Sequence, residues 1–477
     1  MLPPLIDRQR VHANPRSGER GFTMALVTVA LVTIIAMAAL SIDIGTLYQA
    51  KAEAQRAADA AALTAARMIS ISGITGDPGN VSNSWQTICG GTSSPATLAA
   101  INVAQQNLIS GIAATSADVS VKYGGGSAGA TSTNCTGAGA TFGVNPVVTV
   151  TVTSGKLPIF FARVFTLFPH GTFSNTTAVA TATAEVFNSS NSASVAGSMI
   201  PVQPRCVKPL IIPNLDPTSG GGTFVNTSTG AITKAGISPT GAIGENFILA
   251  ADCRRGAPNC YGGNLLNQTP TSTGGTIEYV PALVQDTPAP VAVPSCATAD
   301  TFQEAIAGCD QSTVVYACGA PLGAQVDLTK NPINPRASTG DTGTALQCLT
   351  NATAEGLGNG QDQLGTGSFP FQIQAGSDNP LVQDGLVSNN GIVTTSSSII
   401  TIPIYDQTTP LPNGVQQPNV TIVGFLQVFV QDLNPTNGAT KGDPVVYVLN
   451  VSGCSNNATN SAVLGTSPVP IRLITPP

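Results

Sequence analysis

The chain has 477 residues, of which only 9% are charged, and its net charge of -6 gives a sequence pI of about 4.9. This composition provides no basic surface for phosphate backbones, so nucleic acid is excluded as an expected partner. Hydrophobic residues make up 42% of the chain, which indicates a folded protein despite its many glycines and prolines.

The first predicted element is an uncharged run from Gly21 to Ile42. About 22 residues at ~1.5 Å each span ~33 Å, the thickness of a bilayer core, which predicts a transmembrane helix and the lipid bilayer as a partner. The apolar region of a cleaved secretory signal is shorter, ~7–15 residues, and this disfavours that alternative.

The charges on either side of the run predict its orientation. Four arginines precede it, at Arg8, Arg10, Arg16 and Arg20, and the first charge after it is Asp43. By the positive-inside rule, residues 1–20 are a cytoplasmic basic N-terminus. The chain is then a single-pass protein of the inner (cytoplasmic) membrane, and its bulk is periplasmic or extracellular.

An alanine-rich segment continues the predicted helix as a periplasmic rod, so residues 21–70 form one transmembrane and membrane-proximal helix. Small residues recur on it at three- and four-residue steps, and the predicted packing positions are Ala54, Ala58, Ala61 and Ala65. They would let another backbone approach closely. Alanine is also the best helix former, so propensity alone explains the same composition, and both interpretations stay open.

Ordered residues in this helix carry a family resemblance. Ile42-Asp43-Ile44-Gly45 ends the apolar run, and Ala57-Ala58-Asp59-Ala60-Ala61-Ala62-Leu63 closes the helix. With the Arg-Gly before the run, they resemble the N-terminus of TadE/TadG-like proteins, associated with assembly of Flp-type (tight adherence) pili. A second block, VVTVTVTSGKLPIFFARVFTLF followed by TTAVATATAEV, extends the likeness to about residues 16–187.

The resemblance implies a membrane-anchored structural or accessory component of a Flp/Tad-like pilus or surface adherence apparatus. Its partners would be other pilus or envelope assembly proteins. The alternative is an envelope-anchored binding module, such as a glycan or surface adhesin, that is unrelated to pilus assembly. Long polar loops favour the alternative, because binding residues often lie on loops.

The predicted fold class is α+β, with the long helix followed by two exported domains. Residues 71–187 form a small α+β domain, in which spacing predicts a helix over 96–114 and alternation predicts strands over 144–152 and 176–186. Residues 188–199 have linker composition. Short β-branched runs separated by Gly, Pro and Asn predict a β-rich, sandwich-like domain over 200–477. Its long loops, at 216–222 and 341–367, would be mobile or would face a ligand.

All ten cysteines lie beyond Gly73, as expected if only that part of the chain meets an oxidising compartment. Disulfides are therefore predicted. Cys253 and Cys260 are predicted to bond each other, because the six residues between them include Gly256 and Pro258 and can turn the chain back within the ~4.4–6.8 Å Cα separation of a disulfide. The other pairings are not deducible from sequence.

The sequence contains no recognisable catalytic constellation. The histidines are His12 and His170, and neither lies near a nucleophile motif or a close cysteine pair. We therefore expect no catalytic residue, no metal site and no cofactor, and we expect that the protein is not an enzyme.

Overall fold

A computed structural model gives the fold of the chain. The residues that it describes are 19–73, 86–125, 129–135, 142, 146–155, 157, 161, 177–188, 202–218, 220–234, 236–251, 272–273, 275–281, 283–284, 301–308, 318, 324–327, 341–350, 360–366, 371–409, 419–433, 443–454, 463–465 and 467–474.

The described part of the chain contains both helices and strands. The helices are α1 (Glu19–Ile71), α2 (Gln86–Cys89), α3 (Pro95–Gln106), α4 (Thr301–Ala307), α5 (Asp341–Thr350) and α6 (Pro380–Gln383). The first strands are β1 (Val119–Gly125), β2 (Ala130–Ser132), β3 (Pro146–Ser154) and β4 (Ala178–Val186). The next are β5 (Val202–Pro204), β6 (Leu210–Pro213), β7 (Asn246–Ala251), β8 (Ser272–Thr273), β9 (Thr276–Pro281) and β10 (Leu283–Val284). The last are β11 (Ala324–Asp327), β12 (Gln363–Gly365), β13 (Gln372–Gln374), β14 (Ile392–Val393), β15 (Ile399–Tyr405), β16 (Asn419–Val420), β17 (Ile422–Asp432), β18 (Val445–Gly453), β19 (Val463–Gly465) and β20 (Ile471–Ile474).

The long N-terminal helix is present as α1, whose 53 residues extend for ~80 Å at ~1.5 Å per residue. It is followed by mixed helices and strands, and the region beyond residue 200 is rich in strands. The predicted α+β fold class is thereby confirmed.

The first sheet has the strand order β2-β1-β3-β4-β20, and every pairing in it is antiparallel. On β3 the valines at 148, 150 and 152 are buried, whereas the threonines between them are partly exposed. Such period-2 alternation gives a strand one apolar and one polar face. Helices α1 and α3 pack against this sheet, with α1 crossing β3, β4 and β20.

The last described strand, β20, returns from the end of the chain to complete the first sheet. Ile471 pairs with Val186 and Leu473 with Ala184. On the same strand, Arg472 forms an ion pair with Glu185 and lies 4.9 Å from the centre of the Phe187 ring. Residues on either side of the predicted linker at 188–199 therefore contact each other within one sheet. The domain limits stay a prediction.

The β-rich region closes on itself through hydrogen bonds. Strands β6, β15, β17, β18, β7 and β9 pair in that order, and β9 pairs again with β6. Closure results because β6 bonds along both edges, in parallel to β15 and antiparallel to β9. The sandwich-like description did not anticipate this ring. Buried side chains of these strands form one apolar cluster, to which helices α4 and α5 add Phe302, Ile306 and Leu346.

Two local expectations were wrong. The helix expected over 96–114 ends at Gln106, where Asn107 adopts an extended backbone with φ -89° and ψ 103°. It does not resume, because Ser110 and Gly111 adopt positive φ angles of 52° and 78° that a right-handed helix does not contain. The region 341–367 was expected to be a loop, but it contains α5 and β12. Leu346 on α5 is fully buried in the apolar cluster of the β-rich region, and this packing accounts for the helix.

Candidate membrane-anchor and packing site

The first half of α1 is an apolar helix that the described part of the chain leaves exposed. Its most apolar window has a mean hydropathy of 2.6, and none of that window is buried. Three of its hydroxyl groups bond within the helix: Thr28 donates to the Met24 carbonyl, and Thr33 and Ser41 donate to the carbonyls of Val29 and Met37 at 2.8 and 2.9 Å. A helix whose polar groups all bond internally is what a hydrocarbon environment requires. This one N-terminal apolar helix fits a single-pass membrane anchor.

Asp43 marks the end of the apolar half. Its side chain is buried, and its carboxylate accepts the backbone N–H of Phe161, at 3.0 Å to Oδ2 and 3.3 Å to Oδ1. Phe161 lies in the connection between β3 and β4. The first charge after the uncharged run thus contacts the connection between two strands of the first sheet.

The second half of α1 has the opposite environment, because its small residues are covered by protein. Ala54, Ala58, Ala61 and Ala65 are all fully buried, in one apolar cluster with the inward-facing residues of the first sheet. Every fourth or third residue of the helix therefore faces the sheet domain of the same chain.

The elements that receive this face also carry alanine. On β4 the inward residues include Ala180 and Ala182, and on α3 they include Ala100 and Ala104, all buried in that cluster. Small side chains on both sides permit close approach of the backbones. The structure places the four predicted packing residues in an intramolecular contact, and their role in assembly with a partner stays a prediction.

Polar side chains at the edge of this contact fix the position of α1 along the sheet domain. Gln55 donates from Nε2 to the Thr181 carbonyl at 3.2 Å, and Glu53 Oε2 accepts the Ser110 N–H at 2.6 Å. The bond from Ser110, and after it one from Gln49, holds the pKa of Glu53 below its ordinary value. The carboxylate is thus the preferred form of Glu53 in the fold.

Two disulfides lie within the described residues. Cys89 is bonded to Cys135 with a Cα–Cα distance of 5.5 Å, and Cys318 is bonded to Cys454 at 5.2 Å. Both lie C-terminal to α1. The predicted Cys253–Cys260 bond falls outside the described residues and stays a prediction.

A buried ion cluster holds the loop that begins at Asp216. Lys234 Nζ bonds Asp216 Oδ2 at 3.1 Å and also bonds Glu245 Oε1. The backbone N–H of Thr218 donates to Asp216 Oδ1 at 2.8 Å, and its hydroxyl donates to Glu245 Oε1 at 2.6 Å. Burial raises the pKa of Asp216, but bonds from Thr218 and Lys234 outweigh it and leave the pKa lowered. Burial lowers the pKa of Lys234, but its carboxylate partners leave it raised. The cluster is an internal ion network that closes the loop.

A buried lysine elsewhere has no carboxylate bond among its described contacts. Lys208 donates from Nζ to the Gly308 carbonyl at 2.6 Å, just beyond the end of α4. Burial lowers the pKa of Lys208 to about 8. A cation at this place also complements the negative end of the helix dipole.

Sequence reasoning did not anticipate the Asp43–Phe161 contact, the ion network of Lys234 or the burial of Lys208. Single lysines in loop-like sequence carry no local signal of their contacts, because their partners are not sequence neighbours: Asp216 and Glu245 bind Lys234, and Gly308 binds Lys208. Among the described residues, no group of three or more His, Cys, Asp or Glu side chains converges on a metal-sized space. The expected absence of metal, cofactor and catalysis is not tested by this and stays a prediction.

Comparison with known proteins adds one match. The family model described as "Putative Flp pilus-assembly TadE/G-like" matches residues 21–68, which lie within α1 and include both its apolar and its alanine-rich half. No curated protein and no solved structure matches the chain. The likeness expected for the block that ends near residue 187 is not covered by the match and stays a prediction. Residues 21–68 of this chain are thus confirmed as a TadE/TadG-like segment, as their sequence indicated.

Proposed function

We propose that the protein is a membrane-anchored structural or accessory component of a Flp/Tad-like pilus or surface adherence apparatus. The observation that carries the proposal is the coincidence of the family match, residues 21–68, with a helix of two halves. One half is apolar and exposed, and the other packs against the first sheet, which is exported in this proposal. A protein built in this way displays its folded part at a fixed place on the membrane surface.

The proposed orientation has a cytoplasmic N-terminus in the inner membrane and an exported bulk. Arginines before the span support it through the positive-inside rule. The disulfides Cys89–Cys135 and Cys318–Cys454 support it independently, because such bonds persist in oxidising compartments. In this proposal the protein is not an enzyme.

The end of α1 suggests how the anchor is joined to the β-rich region. Ser70 donates to the Val469 carbonyl at 3.2 Å, and Asn450 on β18 donates to the Ser70 carbonyl. Arg67 donates to the Thr394 carbonyl at 3.2 Å. One helix contacts both the first sheet and the β-rich region, and in this proposal its apolar half also contacts the bilayer.

The test is recovery of the chain with assembled surface fibres. Fibres sheared from cells and washed should contain the chain, or the fibres should be lost when its gene is deleted. The chain that stays with the cells should remain in the membrane fraction after alkaline washing. A chain whose deletion leaves fibre yield unchanged, and which is absent from the fibres, would instead support the envelope-anchored binding module.

A further inference from the structure

Phe161 is an exposed aromatic side chain held at the end of the apolar half of α1. Its side chain is 42% exposed, although the neighbouring described residue Leu157 is buried. Its N–H bonds the carboxylate of Asp43, which is only 4% exposed. A charge-assisted bond therefore fixes the backbone at Phe161, and the apolar side chain that it carries is partly exposed instead of packed in the core.

The depth of Phe161 relative to the bilayer is set by α1. The uncharged run ends at Ile42, and its ~33 Å length matches a hydrocarbon core of ~30 Å. Asp43 then lies where the core meets the headgroups, and Phe161, bonded to it, lies at the same depth. Tyr48, exposed a little more than one helical turn further on, adds a second aromatic ring near this boundary.

We propose that Phe161, in the connection between β3 and β4, inserts into the headgroup boundary of the bilayer and gives the exported domain a second contact with lipid. The occupant of this apolar surface is lipid because the surface continues the lipid-facing half of α1. Asp43 is the positioning residue that holds Phe161 at that depth. The inference rests on the membrane insertion of α1 proposed above.

A turn farther from the membrane provides a matched control. Leu108 is apolar and 55% exposed, and the N–H of Ser110 in the same turn bonds Glu53. Glu53 lies ten residues after Asp43, or about 15 Å of helix, whereas each headgroup layer is only about 5–8 Å thick. Leu108 should therefore lie in water although it is more exposed than Phe161.

The experiment uses tryptophan fluorescence in vesicles of phosphatidylcholine with brominated acyl chains, which quench at short range. The full chain contains one tryptophan, Trp85, which is replaced by phenylalanine. Into this background, Phe161→Trp, Leu108→Trp and Val32→Trp are introduced one at a time. We expect strong quenching at 32, at least half of that at 161, and several-fold less at 108.

The outcomes test separately the lipid contact of Phe161, the membrane insertion of α1 and the positioning role of Asp43. Quenching at 161 no greater than at 108, with strong quenching at 32, overturns the second lipid contact alone. Absence of quenching at 32 refutes the anchor and this inference with it. In the Phe161→Trp chain, adding Asp43→Ala should lower quenching to the level at 108, whereas Asp43→Asn, which keeps an acceptor oxygen, should retain most of it. Unchanged quenching in Asp43→Ala overturns the positioning role of Asp43.

Discussion

Replacing Ala58 by leucine tests whether the alanine face of α1 is a fitted contact. Ala58 is fully buried in the cluster that includes Ala182 on β4 and Ala104 on α3. Leucine adds three carbon atoms where small side chains meet small side chains, so backbone shifts or strained rotamers must accommodate them. Overpacking of this kind costs about 1–3 kcal/mol. Ala61→Leu should behave in the same way, since Ala61 has the same burial.

Ala52→Leu is the matched control, because Ala52 lies on the same helix but is exposed. In an exposed helix, leucine costs only about a few tenths of a kcal/mol relative to alanine. Denaturant titration of the detergent-solubilised chain should therefore give a clearly lower midpoint for Ala58→Leu than for Ala52→Leu. Equal midpoints for the two variants would refute the fitted contact, and helix propensity alone would then explain the alanine face of α1. Lower fibre recovery for Ala58→Leu alone would extend the result to assembly.

Replacing both Cys89 and Cys135 by alanine removes a crosslink with a sequence separation of 46, so the free energy of unfolding should fall by about 4 kcal/mol, as measured by denaturant titration. Lys234→Met leaves two buried carboxylates without their cation and should cost about 3 kcal/mol in the same assay, whereas unchanged stability would show that the ion network is unimportant. Lys208 has a folded-state pKa of about 8, below its ordinary value, so the unfolded chain binds more protons between pH ~8 and ~10.4. Relative to Lys208→Met, the free energy of unfolding of the wild type should therefore rise by about 3 kcal/mol as the pH increases across that window. If the free energies of unfolding of the two proteins change with pH in parallel, the burial of the ammonium group is contradicted.

The anchor and the helical face could be predicted because their signals are local. An uncharged run of bilayer length needs no tertiary information, and the spacing of Ala54 and Ala58 places them on one side of any helix. The elements that receive that face could not be predicted, because alanine on a helix is compatible with a partner, a sheet or solvent. The structure places β3, β4 and α3 there.

Non-local pairings account for most of the features that the sequence did not reveal. The four residues of β20 pair with β4 although hundreds of positions separate them, and no local pattern encodes that choice. The bond between Cys318 and Cys454 spans 136 residues and is similarly invisible. Phe161 meets Asp43 only because β3 runs back toward the span, which fixes the depth of the connection after that strand.

The most direct test of the account is the side of the membrane on which the sheet domain lies. A reporter enzyme that is active only outside the cytoplasm is fused after Ala114, with a control in which residues 21–42 are deleted from the same fusion. The account predicts activity in the first fusion and none in the control, because the arginine-flanked span directs export of the residues C-terminal to it. Activity of a cytoplasm-specific reporter after Ala114 would reverse the orientation and contradict the claim that the disulfide-bonded bulk is displayed outside the cell interior.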